Sequence, residues 1–300
     1  MNVLVTGSSG MLGATVVKFF IEKGFNVYGI SRTRNPQLDA THEFSGDLTD
    51  GQFLQSVSLT FQPDVIVHTA ALVDLKFCEQ NPMLAKQLHV DATHQLVTLF
   101  TKARFIYIST DSVFDGQRGD YSELDQPNPL NHYSKTKLEG EQVVSANAPS
   151  YAIIRTNLFG FHNPMKNSLF EWAYTSLSNG QAITGFANVF FNPLYCFQLA
   201  EIIHKISARK INGVFHVGST DVISKYDFLL AVAKQFSLKS DLIGKSQLDP
   251  IALGAMRPLN TTLNTKKVES FGIEMPGMKI NLNSLHQFFI KTFQKHDTRV

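Results

Sequence analysis

An α/β fold, a doubly wound parallel sheet carrying a small, mainly helical C-terminal lobe, is what this sequence predicts, on three observations. Short β-branched runs alternate with longer polar–apolar stretches through the first half of the chain. A glycine-rich turn follows the first of those runs. After Arg155 the alternation gives way to segments broken by Pro and Gly.

In chain order, strands are expected at Asn2–Thr6, Phe25–Ile30, Asp64–His68, Arg104–Ser109 and Tyr151–Arg155, and helices at Met11–Lys23, Met83–Lys102 and Tyr133–Ala146. The run DVIVH at 64–68 is too apolar to leave one face in water, so helices should cover both faces of the sheet. Residues 156–187, rich in Asn, Phe and Gly, read as loop with one helix around Trp172. Residues 194–207 read as a helix leading into a further strand, Gly213–Gly218, which could rejoin the sheet. From Ser219 onward, helical segments are separated by Asp249-Pro250, Arg257-Pro258 and Pro276-Gly277.

Composition narrows the function. A hydrophobic fraction of 43% over 300 residues suits one large domain with a smaller lobe. With a net charge of +2 and no dense run of Lys or Arg, neither a nucleic-acid footprint nor a polybasic membrane anchor is expected. Cys78 and Cys196 form no metal-ligand pattern and no disulfide framework, and read as reduced structural thiols. The ten histidines show no HExxH or Cys/His spacing, so no metal is expected. The N-terminus lacks a cationic region and long apolar core, and no apolar run approaches the roughly 20 residues that span a bilayer. A soluble, cytoplasmic protein is expected.

Gly7-Ser8-Ser9-Gly10-Met11-Leu12-Gly13 closes the first strand and opens the first helix. Glycines at 7, 10 and 13 permit a tight turn, close approach of backbone to a pyrophosphate, and tight helix–strand packing. The exposed N–H groups at the helix start, around Met11 and Leu12, then stabilise phosphate charge. This makes residues 1–155 a Rossmann-type dinucleotide-binding domain, expected to be rejoined by 188–218, with 156–187 and 219–300 forming a substrate-binding lobe. The second strand ends Ile30-Ser31-Arg32, where NAD-specific chains usually carry an acid for the ribose 2′-OH. A cation in that place, at Arg32 with Arg34 as second candidate, suits a 2′-phosphate. NADPH is therefore the expected cofactor, with NADH as the alternative, and Ser31 and Arg32 are expected to contact it. Asp47, followed by Leu48, could meet the adenine amino group. Ala70 and Ala71 leave space for the cofactor after the Asp64–His68 strand.

Tyr133 and Lys137 lie four residues apart, hence one turn apart on one helix face. Thr110 lies at the C-terminal end of the fifth strand, where open α/β sheets hold their ligands. Hydride delivery to a ketone leaves an alkoxide that must be protonated. A free tyrosine, with a pKa near 10, is a poor proton shuttle at neutral pH. The Lys137 ammonium and an oxidised nicotinamide would both lower that pKa, while Thr110 orients the carbonyl. Lys137 could also hold the nicotinamide ribose.

The segments VTGSSGMLG at 5–13, STDSVFDG at 109–116, NHYSKTKLEGE at 131–141 and RPLNTTL at 257–263 together resemble the extended short-chain dehydrogenase/reductase family, within it the dTDP-4-dehydrorhamnose reductase group. The resemblance implies Thr110, Tyr133 and Lys137 as the catalytic set, and reduction of a 4-keto-6-deoxy sugar nucleotide by NAD(P)H. Arg257, in the last segment, is expected to bind the substrate's diphosphate through its planar guanidinium. Three places differ from that group. RTNLFG at 155–160 replaces a Trp-containing segment, His89 stands at a usual asparagine, and NVFFNP at 188–193 departs from the usual loop. His89 reads as a packed helix histidine.

Two alternatives stay open. A sugar-nucleotide epimerase of the same superfamily would use the same Tyr and Lys but retain its cofactor. A dehydratase would need an acid after Asp111, where Ser112 stands. A non-catalytic, NADP-binding regulatory subunit is the other alternative, because the β subunit of methionine adenosyltransferase also resembles this reductase group. The expected partner is a nucleotide-sugar small molecule, with no nucleic acid and no membrane, and a homodimer is left open.

Overall fold

The computed structural model describes residues 1–293 apart from Ala252; that residue and the end of the C-terminal segment, 294–300, lie outside the described residues. Seven strands hydrogen-bond in the order Gly213–Val217, Tyr151–Thr156, Arg104–Thr110, Val65–His68, Asn2–Thr6, Asn26–Ser31, Glu43–Ser45. Every pairing is parallel. The chain starts at the centre, builds outward to Glu43–Ser45, then crosses back to Val65–His68 and builds the other way. That reversal opens a crevice at the carboxyl ends of Asn2–Thr6 and Val65–His68, where the flanking loops diverge.

Both faces of the sheet are buried, as its apolar strands require. Val3, Val5, Val67 and Ile106 point into a core shared with the helices Met11–Glu22 and Cys196–Ala208. Leu4, Ile66, Phe105 and Tyr107, one residue out of phase, pack on the other face with Leu54, Leu96 and Val144. This period of two, apolar on both faces, is the mark of a sheet covered by helices on both sides.

Caps fix where the helices begin. The Asp50 carboxylate accepts from the N–H groups of Gln52 and Phe53. Ser168 and Glu171 form a reciprocal capping box. Asn131 accepts from Ser134 N at 2.9 Å and starts the helix His132–Asn147.

Two expectations need correction. The helix expected at Met83–Lys102 begins at Pro82 and is interrupted by a π turn at Gln87–Asp91 before continuing as Ala92–Leu99. The mainly helical C-terminal part also contains short strands. Ile243–Ser246 pairs with Ile183–Phe186, and Ile223–Ser224 pairs with Phe190–Phe191. Leu158–Phe159 pairs with Leu194–Tyr195. Strands this short show no alternation in sequence.

Candidate active site

The crevice holds two cavities that meet at the glycine turn. The larger, about 840 Å³, lies between the sheet and the C-terminal segments; the smaller, about 520 Å³, lies beside the second strand. Gly7, Gly10 and Ala71 line both. Gly7 has a φ of +67°, and a Cβ there would sit 2.8 Å from the Ala70 Cα. At Gly13 a Cβ would meet the Gly7 carbonyl oxygen at 2.1 Å, so only glycine lets the helix seat against the turn. The turn is held by Gly7 N–H donating to Ile30 O and Gly10 N–H donating to Gly7 O. Asn35, fully buried and not anticipated from the sequence, donates from Nδ2 to Ser8 O at 2.7 Å. A backbone cradle without side chains, at a helix start, fits a dinucleotide pyrophosphate.

The smaller cavity collects the expected adenosine-side residues: Ser31, Arg32, Asp47, Leu48, Ala70 and Ala71. Ser31 is buried and donates to Thr33 O at 2.6 Å, so its hydroxyl shapes the turn. Asp47 is held below the usual carboxylate range, first by the Thr49 N–H, and Arg32 adds attraction. Arg34 instead turns to Glu43, 3.9 Å away.

Thr110, Tyr133, Lys137 and Arg257 line the larger cavity with Met11, Leu12 and Gly13. Lys137 is buried. Its Nζ donates to Ile108 O at 2.7 Å and lies 4.0 Å from the centroid of the Tyr107 ring. Burial pulls its ammonium down to about 7, while Glu141 works to keep it charged. Burial pushes the Tyr133 phenol up to about 12, with the Thr110 hydroxyl acting in the opposite direction. In the chain by itself, Lys137 donates to the Ile108 carbonyl and burial is the leading influence on the Tyr133 phenol.

Around these groups lie residues of the same motifs to which the sequence alone assigns no role. The Asp111 carboxylate, beside Thr110, accepts from Asn157 Nδ2 at 2.9 Å and from Thr261 Oγ1 at 2.5 Å. RTNLFG and RPLNTTL thus converge on one carboxylate. Glu141, one turn beyond Lys137, is buried against Arg155 at 2.7 Å and accepts from Ser109 Oγ. A buried pair of this kind is costly to break from one side.

His89 proves to be a packed histidine with a further attachment. Leu72 N–H donates to Nε2 at 2.9 Å, which leaves the proton on Nδ1 to donate to Thr136 Oγ1 at 2.8 Å. Thr136 in turn donates to Tyr133 O, and the imidazole meets the Tyr133 ring edge to face at 5.7 Å. The π turn brings the ring there.

The family model described as the RmlD substrate binding domain matches residues 1–289. The chain belongs to this family. Among relatives of this RmlD-family chain, methionine adenosyltransferase 2 subunit beta of Bos taurus is 33% identical over 283 residues, covering 91% of this chain and 83% of that one. The probable low-salt glycan biosynthesis reductase Agl14 of Haloferax volcanii is 28% identical over 297 residues, 96% and 98% of the two chains. In fold it is similar to dTDP-4-dehydrorhamnose reductase from Bacillus anthracis, solved in complex with NADP, with a TM-score of 0.85, 24% identity and coverage of 97% and 99%. The resemblance drawn from the four motifs holds for family and fold.

Proposed function

We propose that this protein is an NADP(H)-dependent reductase of the keto group of a sugar nucleotide. One observation carries the reading: a single cleft has the glycine cradle on one wall and Thr110, Tyr133 and Lys137 on the next. The substrate would occupy the half lined by described residues of 156–187 and 219–293, and the cofactor the half formed by the glycine turn, Arg32 and Asp47. The NADP in the Bacillus anthracis reductase and the name of the Haloferax relative support the same class.

When bound, the reduced nicotinamide supplies a hydride. Tyr133 donates its phenolic proton to the substrate oxygen, a role suited to a phenol that burial keeps protonated. Thr110 hydrogen-bonds that oxygen and orients it. In its ammonium form Lys137, one helical turn from the phenol, would favour the phenolate left behind once the proton has moved. Glu141 and Arg155 hold the helix and strands in register beneath them.

The identity with methionine adenosyltransferase 2 subunit beta supports a second reading, in which the chain binds NADP(H) as a non-catalytic subunit of a larger enzyme. NADPH consumption across a panel of dTDP- and UDP-linked keto sugars separates the readings. The reductase consumes NADPH in proportion to substrate, whereas an epimerase or a binding subunit does not. Tyr133→Phe should lower turnover by about 100-fold or more while leaving Kd for NADPH unchanged. A folded wild type that binds NADPH and consumes none with any keto sugar leaves the subunit reading in place.

A further inference from the structure

The larger cavity contains a cation that the catalytic reading does not use. Lys225 begins the helix Lys225–Gln235, anchored by its backbone N–H donating to Val189 O at 2.9 Å. Its Nζ lies 3.3 Å from the centroid of the Phe191 ring, in the NVFFNP segment that departs from the reductase pattern. Among the described residues no carboxylate pairs with Lys225 or Arg257. Arg257 lines the same cavity with its Nε buried and lacking an acceptor. The one carboxylate in the lining, Asp111, is already bonded to Thr110, Asn157 and Thr261.

Such an arrangement is costly for the protein alone. The aromatic face recovers only part of the hydration an ammonium loses, and the first turn of a helix is the positive end of its dipole. Burial pulls the Lys225 ammonium down to about 7; Asp111 works to keep it charged, and Arg257 works against it. Asp111 and, for Arg257, Asp74 offset part of this cost; an anion between the two cations would offset their mutual repulsion directly.

We propose that Lys225 and Arg257 form a two-cation seat for an oxyanion of the substrate, with Lys225 the specificity-determining residue that Phe191 holds in place. The proposal rests on the reading that a nucleotide sugar enters this half of the cleft. Two parts of such a molecule carry the required chemistry, the diphosphate and a carboxylate on the sugar.

Calorimetric titration of wild type, Lys225→Met and Lys225→Arg with UDP, dTDP, UDP-glucose and UDP-glucuronate tests it, with NADPH as a parallel ligand. Met keeps the aliphatic stem on the Phe191 ring and removes the charge. If the diphosphate is seated here, Lys225→Met binds UDP or dTDP about 10-fold or more weakly. If the sugar carboxylate is seated here, UDP binding is unchanged and any preference for UDP-glucuronate over UDP-glucose falls by a similar factor. In either case Lys225→Arg recovers most of the loss and NADPH affinity is unaffected. Wild-type affinity for all four nucleotides in Lys225→Met, or no binding of any of them by wild type, overturns the proposal. Charge-dependent nucleotide binding by a wild type that reduces no keto sugar would remove the reductase reading and leave the seat standing. Undiminished NADPH consumption and nucleotide binding in Lys225→Met would do the reverse.

Discussion

Arg32 and Arg34 stand two positions apart, yet only Arg32 lines the smaller cavity, while Arg34 faces Glu43. Sequence position alone offers both for a 2′-phosphate; the turn held by Ser31 and Asn35 separates them. Arg32→Asp should weaken NADPH binding and reduce or reverse its preference over NADH. A charge-assisted contact contributes about 1.5–3 kcal/mol, which spans roughly 10- to 150-fold in affinity. Arg32 is exposed, so solvent screening places the effect toward the lower end. Fluorescence titrations of both cofactors on both proteins measure the ratio, and an unchanged ratio makes Arg32 an ordinary loop charge. Tyr133 makes a related point about single residues. Its spacing from Lys137 identifies the pair, but the direction of its titration depends on burial, which spacing does not contain.

At the level of elements, the strands and glycine turn are legible because each is long enough to show its periodicity or carries its own backbone requirement. The π turn at Gln87–Asp91 is not, since it is defined by contacts to a helix some forty-five residues onward, such as His89 to Thr136. Three elements each bury a neutral histidine: His68 at a strand end, His89 in the π turn and His216 in the edge strand. Burial is the leading cause in each, pulling His68 and His216 down to about 3 and His89 to about 2. For His89 the Leu72 N–H already points at Nε2, so protonation would set donor against donor. These folded values lie below the unfolded value near 6.5, so the unfolded chain binds more protons below that pH. Stability is then full above about pH 6.5 and falls as pH drops from there. At pH 5 the cost is about 2 kcal/mol per histidine, or roughly 6 kcal/mol for the three, a large share of a typical stability of about 5–15 kcal/mol. Urea unfolding at pH 7.5 and pH 5 should show this loss. Equal midpoints and slopes would mean that the rings are protonated in the fold as readily as outside it.

Across the whole molecule, the cleft is made by parts of the chain that sequence reading treats separately. Asp111 at a strand end is bonded to Thr261, 150 positions later, and Asn131 at the start of the helix that carries Tyr133 and Lys137 donates to Met256 O. The lobe was harder to anticipate than the sheet because its order comes from such long-range contacts and from strands of two to four residues. Arg257 was named from its motif alone, and it lines the larger cavity while being absent from the lining of the smaller. That separation has a kinetic consequence. If Arg257 holds the substrate's diphosphate, Arg257→Ala removes an interaction distant from the reacting carbon, present in ground and transition states alike. KM for the sugar nucleotide should then rise by about 10-fold or more, with kcat falling much less. Kd for NADPH should stay within about twofold, because the contacts proposed for the cofactor lie on the glycine turn and the second strand. The guanidinium is half-buried and its backbone N–H bonds Pro250 O, so the loop can keep its path without the side chain. Steady-state kinetics and a cofactor titration on one preparation decide the matter. A rise in KM accompanied by an equal loss of NADPH affinity would mean that the two halves of the cleft are not independent, and an unchanged KM would return Arg257 to a structural role.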